Sequence, residues 1–159
     1  MKRAIAILLA LLLLTPTALA DDPGQTVNRE LFEELYDIWA EFYVVPALPT
    51  PTEINGNCYY RSSDMSLILT FFESGNIDLI SLSFDRPLTF DRIAITACVW
   101  ASAYGKYMHD PLMSLVFEYR NGTENPFVVF NDRTCCAMIS LSDPEKITFA
   151  ISAHIPGQN

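Results

Sequence analysis

SLILTFFESGNIDLISLSFD, residues 66–85, decides the fold. Two runs of β-favouring residues flank Glu73-Ser74-Gly75-Asn76, a turn sequence of the kind that closes a β-hairpin. Centring the turn on Ser74 and Gly75 sets Met65 opposite Phe84, Leu67 opposite Leu82, Leu69 opposite Ile80 and Phe71 opposite Asp78. Successive strand residues point to opposite faces, so these pairs build one face that is almost wholly apolar. The other face carries Ser66 with Ser83, Ile68 with Ser81, Thr70 with Leu79 and Phe72 with Ile77. That mixture implies a sheet packed on one side and only partly covered on the other.

Upstream, Cys58 to Arg61 reads as a further short strand, joined to the hairpin through Ser62, Ser63 and Asp64. Residues 46–57, PALPTPTEINGN, hold three prolines and an Asn-Gly pair, which forbids a helix and predicts an extended connection ending in a turn. Before it, Asn28 is placed to cap a helix whose Leu31, Leu35, Ile38, Trp39 and Phe42 recur at helical spacing and predict its buried face. Phe32, Tyr36 and Tyr43 then fall among the acids on the outer side, an aromatic surface that reads either as the edge of the core or as a contact patch for a partner.

Downstream, Thr89 is placed to cap a second helix running to about Tyr104. Met113, Leu115, Phe117 and Tyr119 alternate with polar neighbours and predict a strand over Leu112 to Tyr119. Phe127 to Phe130, Thr134 to Leu141 and Lys146 to Ser152 read as three more strands, separated by polar turns. The order predicts a two-layer α+β domain, an antiparallel sheet of six to seven strands with two helices packed on one face.

Lys2 and Arg3, the 11 apolar residues from Ala4 to Leu14 and the small-x-small triplet Ala18-Leu19-Ala20 together read as a secretion signal cut after residue 20. The apolar run is shorter than the roughly 20 residues that span a bilayer, so no stable membrane insertion is expected after cleavage. Residues 21–28 then read as a flexible N-terminus, 29–155 as one globular domain and 156–159 as a tail. The expected destination is the periplasm or the extracellular space. Loss of two of the ten basic residues leaves eight against 19 acids, a mature net charge of −11. Nucleic acid and anionic membrane surfaces are excluded as partners by that balance, because no Lys/Arg cluster offsets the repulsion.

Four cysteines in an exported chain predict disulfides. Adjacent Cys135 and Cys136 point to opposite faces of a strand, which favours bonds 58–136 and 98–135 over the two other pairings. No Cys-x-x-Cys or Cys/His spacing predicts a metal, and with six glycines the chain has no phosphate-cradling loop, so no cofactor is expected. Asn121-Gly122-Thr123 matches a glycosylation acceptor and marks an exposed loop. Carboxylate pairs drawn from Glu73, Asp78, Glu118 and Asp132 carry no spacing signal for glycoside hydrolysis. With no catalytic constellation, many aromatics and strong acidity, the sequence points to a non-enzymatic module that binds a protein or peptide. Its candidate contacts are Tyr36, Tyr43, Phe72, Ile77 and Leu79. The competing class is a small-ligand carrier or hydrolase-like enzyme with a site between sheet and helices near His109 and Asp110.

Overall fold

The computed structural model describes residues 27–104, 109–122, 124–131 and 135–153. The expected leader, residues 21–26, 105–108 and 132–134, Thr123 of the glycosylation acceptor, and residues 154–159, which include His154 and the tail, lie outside them. In chain order the elements are α1 (Arg29–Tyr43), β1 (Thr52–Ile54), β2 (Asn57–Arg61), β3 (Met65–Phe71), β4 (Ile77–Asp85), α2 (Phe90–Tyr104), α3 (His109–Arg120), β5 (Phe127–Asn131), β6 (Cys135–Ser140) and β7 (Lys146–Ala153). The strands form one antiparallel sheet in the order β1-β2-β3-β4-β7-β6-β5. The α+β class is as read from the sequence, with seven strands and three helices.

The β3–β4 register matches the sequence reading from Met65 and Phe84 through Thr70 and Leu79, then slips at a bulge so that Phe71 pairs with Ile77 rather than Asp78. Phe72 is left in the turn, its N–H donating to the Asn76 carbonyl at 2.9 Å, while Gly75 adopts the left-handed φ of 82° that a side chain would resist. The slip turns Ile77 inward, and its side chain is fully buried. The Ile77 N–H donates to the Val27 carbonyl at 2.9 Å and Asn76 bridges to Asn28. The hairpin tip therefore holds the entry into α1.

Two further stretches differ from their reading. Asn55 and Gly56, with φ of 52° and 78°, close a two-residue hairpin, so the end of the proline-rich connection becomes β1. Leu112 to Tyr119 is helical rather than extended. Its buried residues Leu112, Leu115 and Val116, with half-buried Tyr119, fall at helical spacing, whereas Met113 and Phe117 are exposed. Pro111 sits in the first turn, where its missing N–H breaks no bond, and Asp110 beside it suits the positive end of the helix dipole. An eight-residue window that satisfies both periods cannot choose between them; the start signal at Asp110-Pro111 does.

Leu67, Leu69, Ile80, Leu82, Phe84, Ile147, Phe149 and Ile151 form the buried centre of the sheet's helix-facing side. Trp100 of α2 meets Phe149 edge-on at 6.3 Å, and Phe149 meets Phe84 at 6.4 Å. The buried hydroxyls of α2 are satisfied within the helix: Thr96 donates to the Arg92 carbonyl at 2.8 Å and Ser102 to the Cys98 carbonyl at 2.7 Å. Arg86 clasps the β6–β7 turn by donating to the carbonyls of Leu141, Asp143 and Lys146. No helix among the described residues is long and apolar enough to cross a membrane.

Leu82 lies at the middle of β4 with neighbours on both sides, so Leu82→Ala is expected to cost about 2–5 kcal/mol. Equilibrium urea unfolding checks this, as a lowered midpoint at unchanged slope.

Candidate functional site

α1 begins where Asn28 caps it, Oδ1 accepting from the Leu31 N–H at 3.0 Å. Its buried face is largely the reverse of the sequence reading, with only Trp39 of the five expected residues packed against the core. Phe32, Tyr36 and Ala40 are in the core and Tyr43 packs against it. Phe32 lies 6.3 Å from the Tyr36 ring and 6.5 Å from that of Tyr60 on β2. Tyr36, expected at a binding surface, is 1% exposed, and its hydroxyl donates to the Pro46 carbonyl at 3.0 Å. Two flat rings and the small Ala40 fit between sheet and α2 where the branched ridge would not, and that packing decides which apolar stripe turns inward.

The stripe left outside is Leu31, Leu35, Ile38 and Phe42, at positions i, i+4, i+7 and i+11. Leu31 is 42% and Phe42 66% exposed, Leu35 and Ile38 are half-buried, and none of the four belongs to the core. Trp39 and Tyr43 border the stripe: Phe42 meets Tyr43 edge-on at 5.2 Å and Trp39 at 6.0 Å. Glu30, Glu34, Asp37 and Glu41 run alongside, all exposed and none in an ion pair among the described residues. The pairs Glu30/Glu34 and Asp37/Glu41 are like charges one turn apart, and Glu41 sits at the negative end of the helix dipole with no basic residue in the last turn. Each of these placements disfavours the isolated helix by a few tenths of a kcal/mol.

On the opposite side of α1, Arg29 Nε donates to Glu33 Oε1 at 2.9 Å and Tyr60 Oη donates to the same oxygen at 2.7 Å. Arg29 also pairs with Glu53 of β1, so one guanidinium ties the helix to the edge of the sheet. Burial pushes the Glu33 carboxyl up, but the hydrogen bonds from Tyr60 and Arg29 outweigh it and hold the group below the usual carboxylate range. Burial, reinforced by the bond to Glu33, pushes the Tyr60 hydroxyl well up.

The other candidates are scattered. Ile77 is in the core, Phe72 is half-buried in the hairpin turn and Leu79 is 38% exposed on the open face of the sheet. The structure therefore does not bring the five expected contacts into one surface. Asp110 is exposed at the start of α3, and the side chain of His109 lies outside the described residues. Trp100 Nε1 is buried with no hydrogen-bond partner among the described residues. No disulfide links Cys58, Cys98, Cys135 and Cys136. A 58–136 bond is precluded because Cys58 faces the helices on β2, whereas Cys136 faces the open side on β6, with three strands between. In place of the 98–135 bond, the Cys98 thiol donates to the Tyr36 carbonyl at 3.6 Å. Among the described residues no three His, Cys, Asp or Glu side chains converge as a metal site.

The exposed stripe of α1 was legible as an amphipathic helix but was read with its two apolar sides exchanged. The acid row beside it was visible only as charge in the first turns. Comparison with protein-family models, with curated proteins and with solved structures gives no match.

Burial pushes the Cys98 thiol up to about 12, and it is fully enclosed, whereas Cys136 is half-buried. Alkylation of the native protein without reductant, read by peptide mass spectrometry, is expected to label Cys136 first and Cys98 last. All four thiols should label once the chain is unfolded. Tyr60→Phe removes a donor to a carboxylate that is about a third exposed, for an expected loss of about 1 kcal/mol at neutral pH. Because the Glu33 pKa is depressed by folding, its stabilisation is present above the ordinary carboxylate pKa and lost as pH falls through the folded value. The stability gap between wild type and Tyr60→Phe should therefore narrow through the acidic carboxylate range, measured by urea unfolding at a series of pH values.

Proposed function

We propose that the chain is an exported protein-binding module that docks a cationic amphipathic helix along α1. The observation that carries this reading is the pairing of the apolar ridge Leu31, Leu35, Ile38 and Phe42 with the unneutralised row Glu30, Glu34, Asp37 and Glu41. A ridge at alternating spacings of four and three is the geometry by which one helix packs along another. A flanking row of carboxylates selects Lys and Arg on the incoming helix. Such a partner removes the like-charge repulsion along α1 and covers Phe42, the aromatic side chain best placed to anchor the contact. An acidic helix is repelled by the same row.

The test uses a synthetic helical peptide with leucines at heptad spacing and flanking lysines. One control replaces Lys by Glu, and another keeps the lysines but replaces Leu by Gln. Titration calorimetry is expected to give saturable binding of the Leu/Lys peptide alone, weakening as salt is raised. Leu31→Asp with Phe42→Asp, both exposed positions, is expected to reduce affinity at least about tenfold while leaving the urea midpoint nearly unchanged. Equal binding of the Leu/Lys and Gln/Lys peptides, or undiminished binding by the double variant, overturns the reading.

A further inference from the structure

The sheet has a second surface, independent of what docks on α1. On the side away from the helices, the strand register lines up Tyr59, Ile68, Ser81, Ala150, Met138 and Val129 in one continuous row across β2, β3, β4, β7, β6 and β5. Beside it runs a row of hydroxyls, Ser66, Ser83, Thr148 and Ser140, in which Ser83 and Thr148 are hydrogen-bonded at 2.9 Å. No described helix covers this face.

Its charge is the telling feature. In a chain with 19 acidic residues, the seven strands contain only Glu53, Asp78 and Asp85. Glu53 sits opposite Cys58 on the helix-facing side and pairs with Arg29. Asp78 precedes exposed Leu79 at the bulged end of β4, and Asp85 lies at the other end of β4, opposite Lys146. The middle of the open face is thus free of carboxylates, and its cations are Arg61, stacked 5.5 Å from the Tyr59 ring, and Lys146 at the margin. A solvent-facing sheet in an acidic protein ordinarily carries its share of charge; one stripped of it is suited to lie against another neutral surface.

We infer that this face pairs with the same face of a second copy, giving a two-fold dimer layered helices, sheet, sheet, helices. A cationic partner finds only the marginal carboxylate of Asp85, already opposite Lys146, and an anionic one finds only Arg61 and Lys146. A second copy presents the same uncharged middle, and pairing through this face leaves the acidic helices of both chains on opposite outer sides of the assembly. Seven strands spaced about 4.8 Å apart and averaging about 20 Å in length present about 600 Å² per copy. That makes about 1,200 Å² in total, at the lower end of stable interfaces and consistent with a dimer of moderate affinity.

Sedimentation equilibrium of the purified protein from micromolar to millimolar concentration tests the pairing. A reversible monomer–dimer equilibrium that strengthens with added salt is expected, because the interface is neutral and the two chains repel at long range. Salt acts in the opposite sense on helix docking along α1, so the two sites are told apart. Ser81→Lys, which places a charge mid-interface, and separately Ile68→Glu with Met138→Glu, are each expected to weaken dimerisation at least tenfold. Cys136 lies on the same face, so its alkylation should slow as wild-type concentration rises and should not slow in either variant. A protein that stays monomeric throughout the range, or a dimer whose affinity and Cys136 labelling are unchanged by a folded variant, overturns the inference.

Discussion

The pairing of β3 with β4 is the contact on which the rest of the molecule depends. Leu67, Leu69, Ile80 and Leu82 supply a flat apolar centre with no polar atom in it, and each remaining part of the core is added against that surface. β7 extends it through Phe149 and Ile151, and α2 closes over it through Trp100. At its turn end the bulge does a second job. By directing Ile77 inward and leaving the Asn76 and Ile77 backbone to meet Val27 and Asn28, it fixes where α1 starts. An ideal hairpin would keep the ladder regular and lose that attachment.

α1 shows how one helix can carry two apolar sides of different purpose. The side with Phe32, Tyr36 and Ala40 contributes to folding, and the side with Leu31, Leu35, Ile38 and Phe42 does not. The like-charge pairs Glu30/Glu34 and Asp37/Glu41 oppose the local electrostatics of a helix, most plainly at Glu41, where a cation would be favoured. Features that disfavour an isolated element and do nothing for the core are those expected where a surface serves a partner. Arg29, Glu33 and Tyr60 form the counterpart on the opposite flank, with their charges matched and hydrogen-bonded.

Much of the fold was legible because the hairpin register follows from a turn and two alternating runs, and all the strand pairs from Met65 to Thr70 are those the sequence implies. Legibility ended where two patterns fitted the same residues. Leu112 to Tyr119 satisfies both strand and helix periods, and only the first-turn signals at Asp110 and Pro111 separate them. The two stripes of α1 are equally periodic, and choosing between them requires knowing that Phe32 would meet the Tyr60 ring across the layer. The bulge at Phe71 could not be read at all, since a one-residue slip changes no composition and depends on what the tip touches. The slip accounts for the burial of Ile77, and the choice of stripe for that of Tyr36, two residues that the sequence reads as surface contacts although both lie in the core.

The anchoring of α1 at both ends has a thermodynamic consequence. Its start is tied to the hairpin tip, and beyond its end the Val45 N–H bonds the Ala40 carbonyl while Tyr36 holds Pro46. The ridge is therefore formed before anything reaches it, and a docking partner need not order this side of the contact. The conformational entropy lost on association falls almost entirely on the incoming chain. Between two partners with identical side chains, the one already helical in solution would keep more of the contact energy as affinity, so docking of the kind proposed would discriminate by stiffness as well as by charge.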